Sequence, residues 1–258
     1  MSRWSGKTEQ DIGSANFEHW LPFLPDGLRI YAIGDVHGRA DLMERLFRLI
    51  DDDLAKRPVV RSVCVFLGDY IDRGPKSRDV VDSLIRRSRE RELVFLRGNH
   101  EAVAIKCLTD QAVFENWMRR LGGLETLVSY GIEPKKVLSE SGVTELQSAF
   151  RESLPEAHRR FFNGLQSTFS CGNVFFAHAG VKPGVALSDQ NERDLLWIRD
   201  EFLSTAVNFE KLIVHGHTPV QRIDVRSNRI NIDTGAFVTG RLTCLVVDRQ
   251  TLSMLATG

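Results

Sequence analysis

Five stretches of the chain place reactive side chains directly behind apolar runs. "YAIGDVHG" carries Asp35 and His37, "VFLGDYIDRG" carries Asp69, Asp72 and Arg73, and "VFLRGNHE" carries Arg97, Asn99 and His100. "VFFAHAG" carries His178, and "LIVHGHTP" carries His215 and His217. Asp35, His37, Asp69, Asn99, His178 and His217 make a donor set of carboxylate, amide and imidazole, which suits zinc, iron or manganese. No cysteine joins them, which argues against a closed structural zinc site. Six protein donors, with water completing each shell, serve two cations that share one bridging group. Such a pair clamps the attacking and leaving oxygens of an in-line displacement and lowers the pKa of bound water toward ~7. Phosphate ester hydrolysis needs both effects. Arg73 and Arg97 adjoin the donors, and a guanidinium fork matches phosphate oxygens. His100, oriented and kept protonated by Asp72, supplies a proton to the leaving oxygen. No serine or cysteine stands out as a nucleophile.

Elements that could bring these groups together are legible in the pattern. "LRIYAIG", "SVCVFLG", "ELVFLRG", "NVFFAHAG" and "KLIVHGHTP" read as buried strands. "ADLMERLFRLIDDDLAKR" has an apolar stripe through Leu42, Leu46, Leu49, Ile50 and Leu54 and reads as an amphipathic helix. "SRDVVDSLIRRSRE" reads as a second helix with Ser77 as N-cap. Strand alternating with helix implies a largely parallel sheet, and ligands bind at the carboxyl ends of such strands. Residues 102–170 are helical by pattern and form an insertion that shapes the site rim. "INIDTGAFVTGRLTCLVVDRQTLSMLA" reads as paired strands with a glycine-containing turn. Residues 1–27 are polar, with Trp4 and Trp20 available to pack them, and form an N-terminal arm; residues 28–258 form the single domain.

"GDVHG", "GDYIDRG" and "GNHE", followed by "HAG" and "GHTP", resemble the signature of the PPP class of metal-dependent serine/threonine protein phosphatases, within the calcineurin-like metallophosphoesterases. The "GHTP" end gives the resemblance a bacterial or phage-like character. The resemblance implies an α/β fold: a central β-sandwich flanked by helices, with the metals at the strand ends. It implies that Asp35 and His37 bind a first metal, that Asp69 bridges, and that Asn99, His178 and His217 bind the second. It further implies His100 with Asp72 as the acid pair, Arg73 and Arg97 on the phosphate, and Arg199 of "LLWIRDEF" as a further phosphate ligand. The implied cofactors are two divalent metal ions, manganese first, with iron or zinc as alternatives. The implied mechanism is direct attack of a metal-bridging hydroxide on phosphorus. "IDTGAF" resembles the family's return to the site rim.

Each motif alone has a plainer reading: a hydrogen-bonding turn, a helix-entry ion pair, an N-capping turn or a satisfied core histidine. Their order is what makes them specific. His215 reads as support on the strand face of His217, not as a ligand. His19 and His158 read as surface residues, "DDD" (51–53) as an exposed helix face, and "RRSRER" (86–91) as a solvated helix end. Trp117 reads as core of the insertion. The 34 basic and 34 acidic residues cancel, which argues against a general nucleic-acid binder. No run approaches the length of a membrane helix and no signal peptide is legible, so the expected location is the cytoplasm. Cys64, Cys107, Cys171 and Cys244 are scattered and read as free thiols, with Cys64 and Cys244 in the core. The expected substrate is a phosphoprotein or phosphopeptide. A symmetric dinucleoside tetraphosphatase is the enzymatic rival, against which Asp72 and Glu101 speak, and a non-catalytic module is the rival of another class.

Overall fold

Alternation along the strands divides their side chains between two cores. In β2 (Leu28–Ile33) and β3 (Arg61–Phe66), Ile30, Ala32, Val63 and Val65 face one core, while Tyr31, Ile33, Cys64 and Phe66 face another. Period-two burial on both faces requires a layer on each side of the sheet. A computed structural model supplies these layers and describes residues 10–11, 23–133 and 140–258. Trp4, His19 and Trp20 lie outside the described residues.

The chain runs from a two-residue β1 (Gln10–Asp11) through β2, α1 (Ala40–Lys56), β3, α2 (Ser77–Arg87) and β4 (Leu93–Phe95). Helices α3 (Asn99–Cys107), α4 (Gln111–Arg120), α5 (Gly123–Ser129), α6 (Glu140–Ser153) and α7 (Glu156–Asn163) follow. Then come β5 (Thr168–Cys171), β6 (Val174–Ala177), α8 (Glu192–Trp197), α9 (Asp200–Leu203) and β7 (Leu212–His215). The chain closes with β8 (Asp224–Val225), β9 (Arg229–Asn231), α10 (Ala236–Thr239), β10 (Thr243–Asp248) and β11 (Thr251–Ala256). One sheet has the order β1-β11-β10-β2-β3-β4, the other β5-β6-β7-β9-β8. Both are mixed. β2, β3 and β4 are parallel, as are β6, β7 and β9, while β10 and β11 pair antiparallel.

Val174, Phe176, Val214 and Ile230 of the second sheet meet Ile30, Val63, Val65 and Leu245 of the first, so the sheets form an α/β sandwich. Leu42, Met43, Leu46, Phe47 and Ile50 of α1 cover the outer face of the first sheet. Phe202 and Leu195 cover the second against Phe175 and Ile213. Among the described residues no helix is long and apolar enough to cross a membrane.

Several local expectations are corrected. In the closing stretch Gly235 and Gly240 flank α10 between β9 and β10, which lie in different sheets and do not pair, while the paired strands β10 and β11 turn at Arg249, φ 53°. Ser77 is not an N-cap but the first residue of α2, and its hydroxyl accepts from the Asp72 N–H at 3.0 Å. Asp53 is buried rather than exposed, accepting from Tyr31 Oη at 2.5 Å and pairing with Arg29 at 3.2 Å. His158 is buried too, bonded to Tyr130 Oη at 2.7 Å and Asp82 at 2.9 Å. Arg87 and Arg91, in the run read as solvated, pair at 2.5 Å with Glu44 and Asp51 and pack on Phe47. The four cysteines are free, and Cys64 and Cys244 are in the core.

Candidate dimetal site

The parallel strands of both sheets end at one edge of the sandwich, and the polar groups meet there. β3 leads into Asp69, β4 into Asn99 and His100, β6 into His178, and β7 into His217. Ligand atoms of His37, Asp69 and His100 lie within 4.8 Å of one another, as do those of Asp69, His178 and His217. Asp69 belongs to both groups, as a bridging carboxylate must. Asn99 Oδ1 is 2.9 Å from both His178 Nε2 and His217 Nδ1. Asp35 is buried beside these groups, next to the charges of Asp69 and Asp233, and its carboxylate accepts the His217 N–H at 3.1 Å. His215 is buried against Phe202 and belongs to neither group.

The backbone is bent to achieve this. Among the described residues six non-glycine residues have positive φ, and His37, Asp69, Asp72, Arg73 and His217 are five of them. Each such position costs about 1–3 kcal/mol and persists only where its surroundings enforce it. Glu101 is one enforcer. Its buried carboxylate accepts backbone N–H groups from Asp69, Tyr70, Ile71 and Gly98 at 2.8–3.2 Å. Gly98 is required here, because a Cβ would lie 2.1 Å from Asp69 Oδ1.

Burial drives the electrostatics. It pulls His37 down to about 3 and His217 down to about 2, and lowers His178. These are neutral imidazoles at ordinary pH, the form that ligates metal. Their protons are directed away from Asp69: His37 Nδ1 meets Ile71 O and His178 Nδ1 meets Leu67 O, each at 2.9 Å. The Nε2 lone pairs are thereby left for a cation. Burial raises Asp69, but the surrounding imidazoles outweigh it and hold it well below the usual range. Burial lowers His100, yet the Asp69 charge and the hydrogen bond to Asp72 leave it raised. Burial, then the Asp233 and Asp69 charges, raise Asp35. The donors and the buried, unpartnered His217 Nε2 fit a pair of divalent cations.

His100 Nδ1 meets Asp72 Oδ2 at 2.7 Å, the geometry the acid pair requires. Arg73 reaches His37 Nε2 and His100 Nε2, each at 3.1 Å, and lies over the Phe237 ring. Arg199 is exposed, close enough for its charge to add to burial in lowering His178 and His217. Arg97 pairs with Glu192 at 2.6 Å.

Several contributors escaped the sequence reading. Trp117 Nε1 donates to Asp72 Oδ2 at 2.7 Å, and Thr126 Oγ1 donates to Asp72 Oδ1 at 2.6 Å. Asp233 is buried near the site, its carboxyl pushed up to about 6 by burial, with the Asp69 charge adding. "INIDTG" pairs an Asp with a Gly behind a strand, as "YAIGDVHG" and "VFLGDYIDRG" do, and that signal could have found it. The rings of Phe237 and Trp197 lie 5.4 Å from His37 and 6.1 Å from His217.

Residues 28–238 match the calcineurin-like phosphoesterase family, and the chain belongs to it. By family and by site it is a dimetal phosphoesterase. A relative from Anoxybacillus flavithermus, "Bis(5'-nucleosyl)-tetraphosphatase PrpE [asymmetrical]", is 26% identical over 87% of this chain and 93% of its own length. The protein of the same name from Bacillus subtilis is 26% identical over 82% of this chain and 87% of its own. The fold is similar to that of a candidate diadenosine tetraphosphatase (TM-score 0.59, 19% identity, 92% of this chain and 99% of that one). It is similar as well to a protein serine/threonine phosphatase from Saccharomyces cerevisiae (TM-score 0.54, 17% identity, 89% and 79%).

Proposed function

We infer that the chain hydrolyses dinucleoside tetraphosphates asymmetrically, splitting diadenosine tetraphosphate into ATP and AMP. The observation that carries this reading is the likeness to asymmetrical tetraphosphatases along most of the chain. An asymmetric cut leaves one nucleoside a single phosphate from the reacting phosphorus, so a surface for its base must lie close to the metals. Trp197, 42% exposed beside His217, and Phe237, beside His37, offer such surfaces.

Two divalent cations held by Asp35, His37, Asp69, Asn99, His178 and His217 would supply Lewis acidity and lower the pKa of a bound water. Arg73 and Arg199 neutralise phosphate oxygens, and the neutral imidazoles with Asp69 hold the positive charge in place. His100, protonated against Asp72, donates to the leaving oxygen. Glu101 does not discriminate between substrates, because it is committed to the backbone behind the site. The Asp72–His100 pair favours a second reading, a serine/threonine protein phosphatase, since an alkoxide leaves poorly without a proton.

The manganese-loaded protein should be assayed on diadenosine tetraphosphate and a phosphoserine peptide, with Asp69→Asn as blank and nucleotides separated by chromatography. Faster tetraphosphate turnover with ATP and AMP in equal amounts is expected. Two ADP per substrate would mean the symmetric reaction. Faster peptide turnover would overturn the nucleotide reading in favour of the phosphatase.

A further inference from the structure

Asp72 and Arg73 are consecutive, both left-handed at φ 72° and 67°, and one must aim at His100 while the other faces the substrate. Left-handed pairs of non-glycine residues do not hold themselves. What holds this one is the corner between α4 and α5. Trp117 Nε1 and Thr126 Oγ1 donate to the two Asp72 oxygens, at 2.7 and 2.6 Å. The Asp72 N–H donates to Thr126 Oγ1 at 2.9 Å and to Ser77 Oγ at 3.0 Å. The Arg73 N–H donates to Gly122 O at 3.0 Å. Gly122 itself has φ 84°, and a Cβ there would stand 2.8 Å from the Arg73 nitrogen. Trp117, Ser77 and Asp72 are fully buried and Thr126 nearly so, so solvent cannot substitute for these bonds.

We propose that the α4–α5 corner is a positioning clamp for proton donation: Trp117 and Thr126 fix the Asp72 carboxylate so that it orients the His100 imidazole toward the leaving oxygen. With both oxygens taken by fixed donors, the carboxylate has one orientation for the His100 Nδ1 proton. The rim helices thus contribute to the chemistry through Asp72 without touching substrate. This goes beyond the choice of substrate, because it concerns any leaving group that needs a proton.

The test uses the metal-loaded full chain with Trp117→Phe, Thr126→Val and Thr126→Ser. Phenylalanine keeps the packing against Phe114 and Phe150, whose centroids lie 5.8 and 5.2 Å from Trp117. Turnover is followed on aryl phosphates from p-nitrophenyl to phenyl phosphate, the poorer leaving group. The ratio of kcat on the first to kcat on the second should rise about tenfold in Trp117→Phe and Thr126→Val, a sizeable part of a general acid's effect. KM should hold, and Thr126→Ser should restore the ratio. Independently of turnover, the downfield Nδ1 proton of His100 in zinc-loaded protein should shift in Thr126→Val and return in Thr126→Ser. An equal fall on all aryl phosphates, or a His100 proton unmoved in Thr126→Val, would overturn the proposal. His100→Asn run alongside separates the cases: if it leaves the ratio unchanged, the acid pair itself fails and the clamp fails with it. The nucleotide reading stands or falls on its own assay.

Discussion

His178 and His217 are fixed from the sheets, whereas His100 and Arg73 depend on the helices. His178 follows β6, with Nδ1 on the carbonyl of Leu67, and His217 follows β7, its backbone held by Asp35. Across Asp69, the His100 partner Asp72 is gripped from α4 and α5. The half that holds a cation rests on elements whose register is set by the sandwich core. The half that moves a proton rests on helix contacts that can vary while the sandwich stays the same. That difference lets one scaffold keep its metal chemistry while the proton donor is adjusted to a substrate.

Asp69→Asn strikes both halves at once. Loss of at least about a thousandfold in kcat/KM, about 4 kcal/mol of transition-state stabilisation, is expected, together with loss of bound metal by elemental analysis. His100→Asn breaks only the helix-held half. It should retain metal yet lose about 10²–10⁴-fold in kcat on poor leaving groups and far less on p-nitrophenyl phosphate; equal losses on both would refute the division. Asp72→Asn tests the same half by pH. With a raised pKa, His100 stays protonated above the ordinary imidazole range, so activity on poor leaving groups is lost on the alkaline side. The corresponding stability is complete below about pH 6.5 and lost as pH rises through the raised value. Removing the Asp72 charge should move the alkaline limb to lower pH in a kcat profile. Trp197→Ala sharpens the sheet-held side. KM for diadenosine tetraphosphate should rise about tenfold, within the range of base-stacking losses, while tripolyphosphate is unaffected. The smallest effect belongs to Glu192→Gln, which frees Arg97 from an exposed ion pair. KM should fall no more than about fivefold, in keeping with the small worth of such pairs.

The sheet-held half was largely legible because its information is local. An apolar run, a glycine and a donor lie within a few residues of each other at Asp69, His178 and His217, and the strands that carry them are continuous in sequence. In the helix-held half Asp72, Arg73 and His100 were legible in the same way, but their supports were not, because Trp117 and Thr126 reach Asp72 from distant parts of the chain, and nothing in the composition of α4 or α5 marks a donor. The same limit hid Asp53 and His158, whose polarity suggests exposure until their partners Arg29, Tyr31, Tyr130 and Asp82 are placed around them. Ser77 had the residue type of a cap, but the turn at Asp72 claims its hydroxyl. Arg97 lies two residues before Asn99, and its ion pair with Glu192 is not visible in the sequence.

The N–H groups of Asp69, Tyr70 and Ile71 belong to no strand or helix, yet all three end on the carboxylate of Glu101. Loop amides ordinarily exchange their hydrogens with solvent through small local openings. These three cannot open one at a time without stripping a buried carboxylate of its donors. Their exchange should therefore be as slow as that of the central strands, making a segment that looks like a loop report on unfolding of the whole domain.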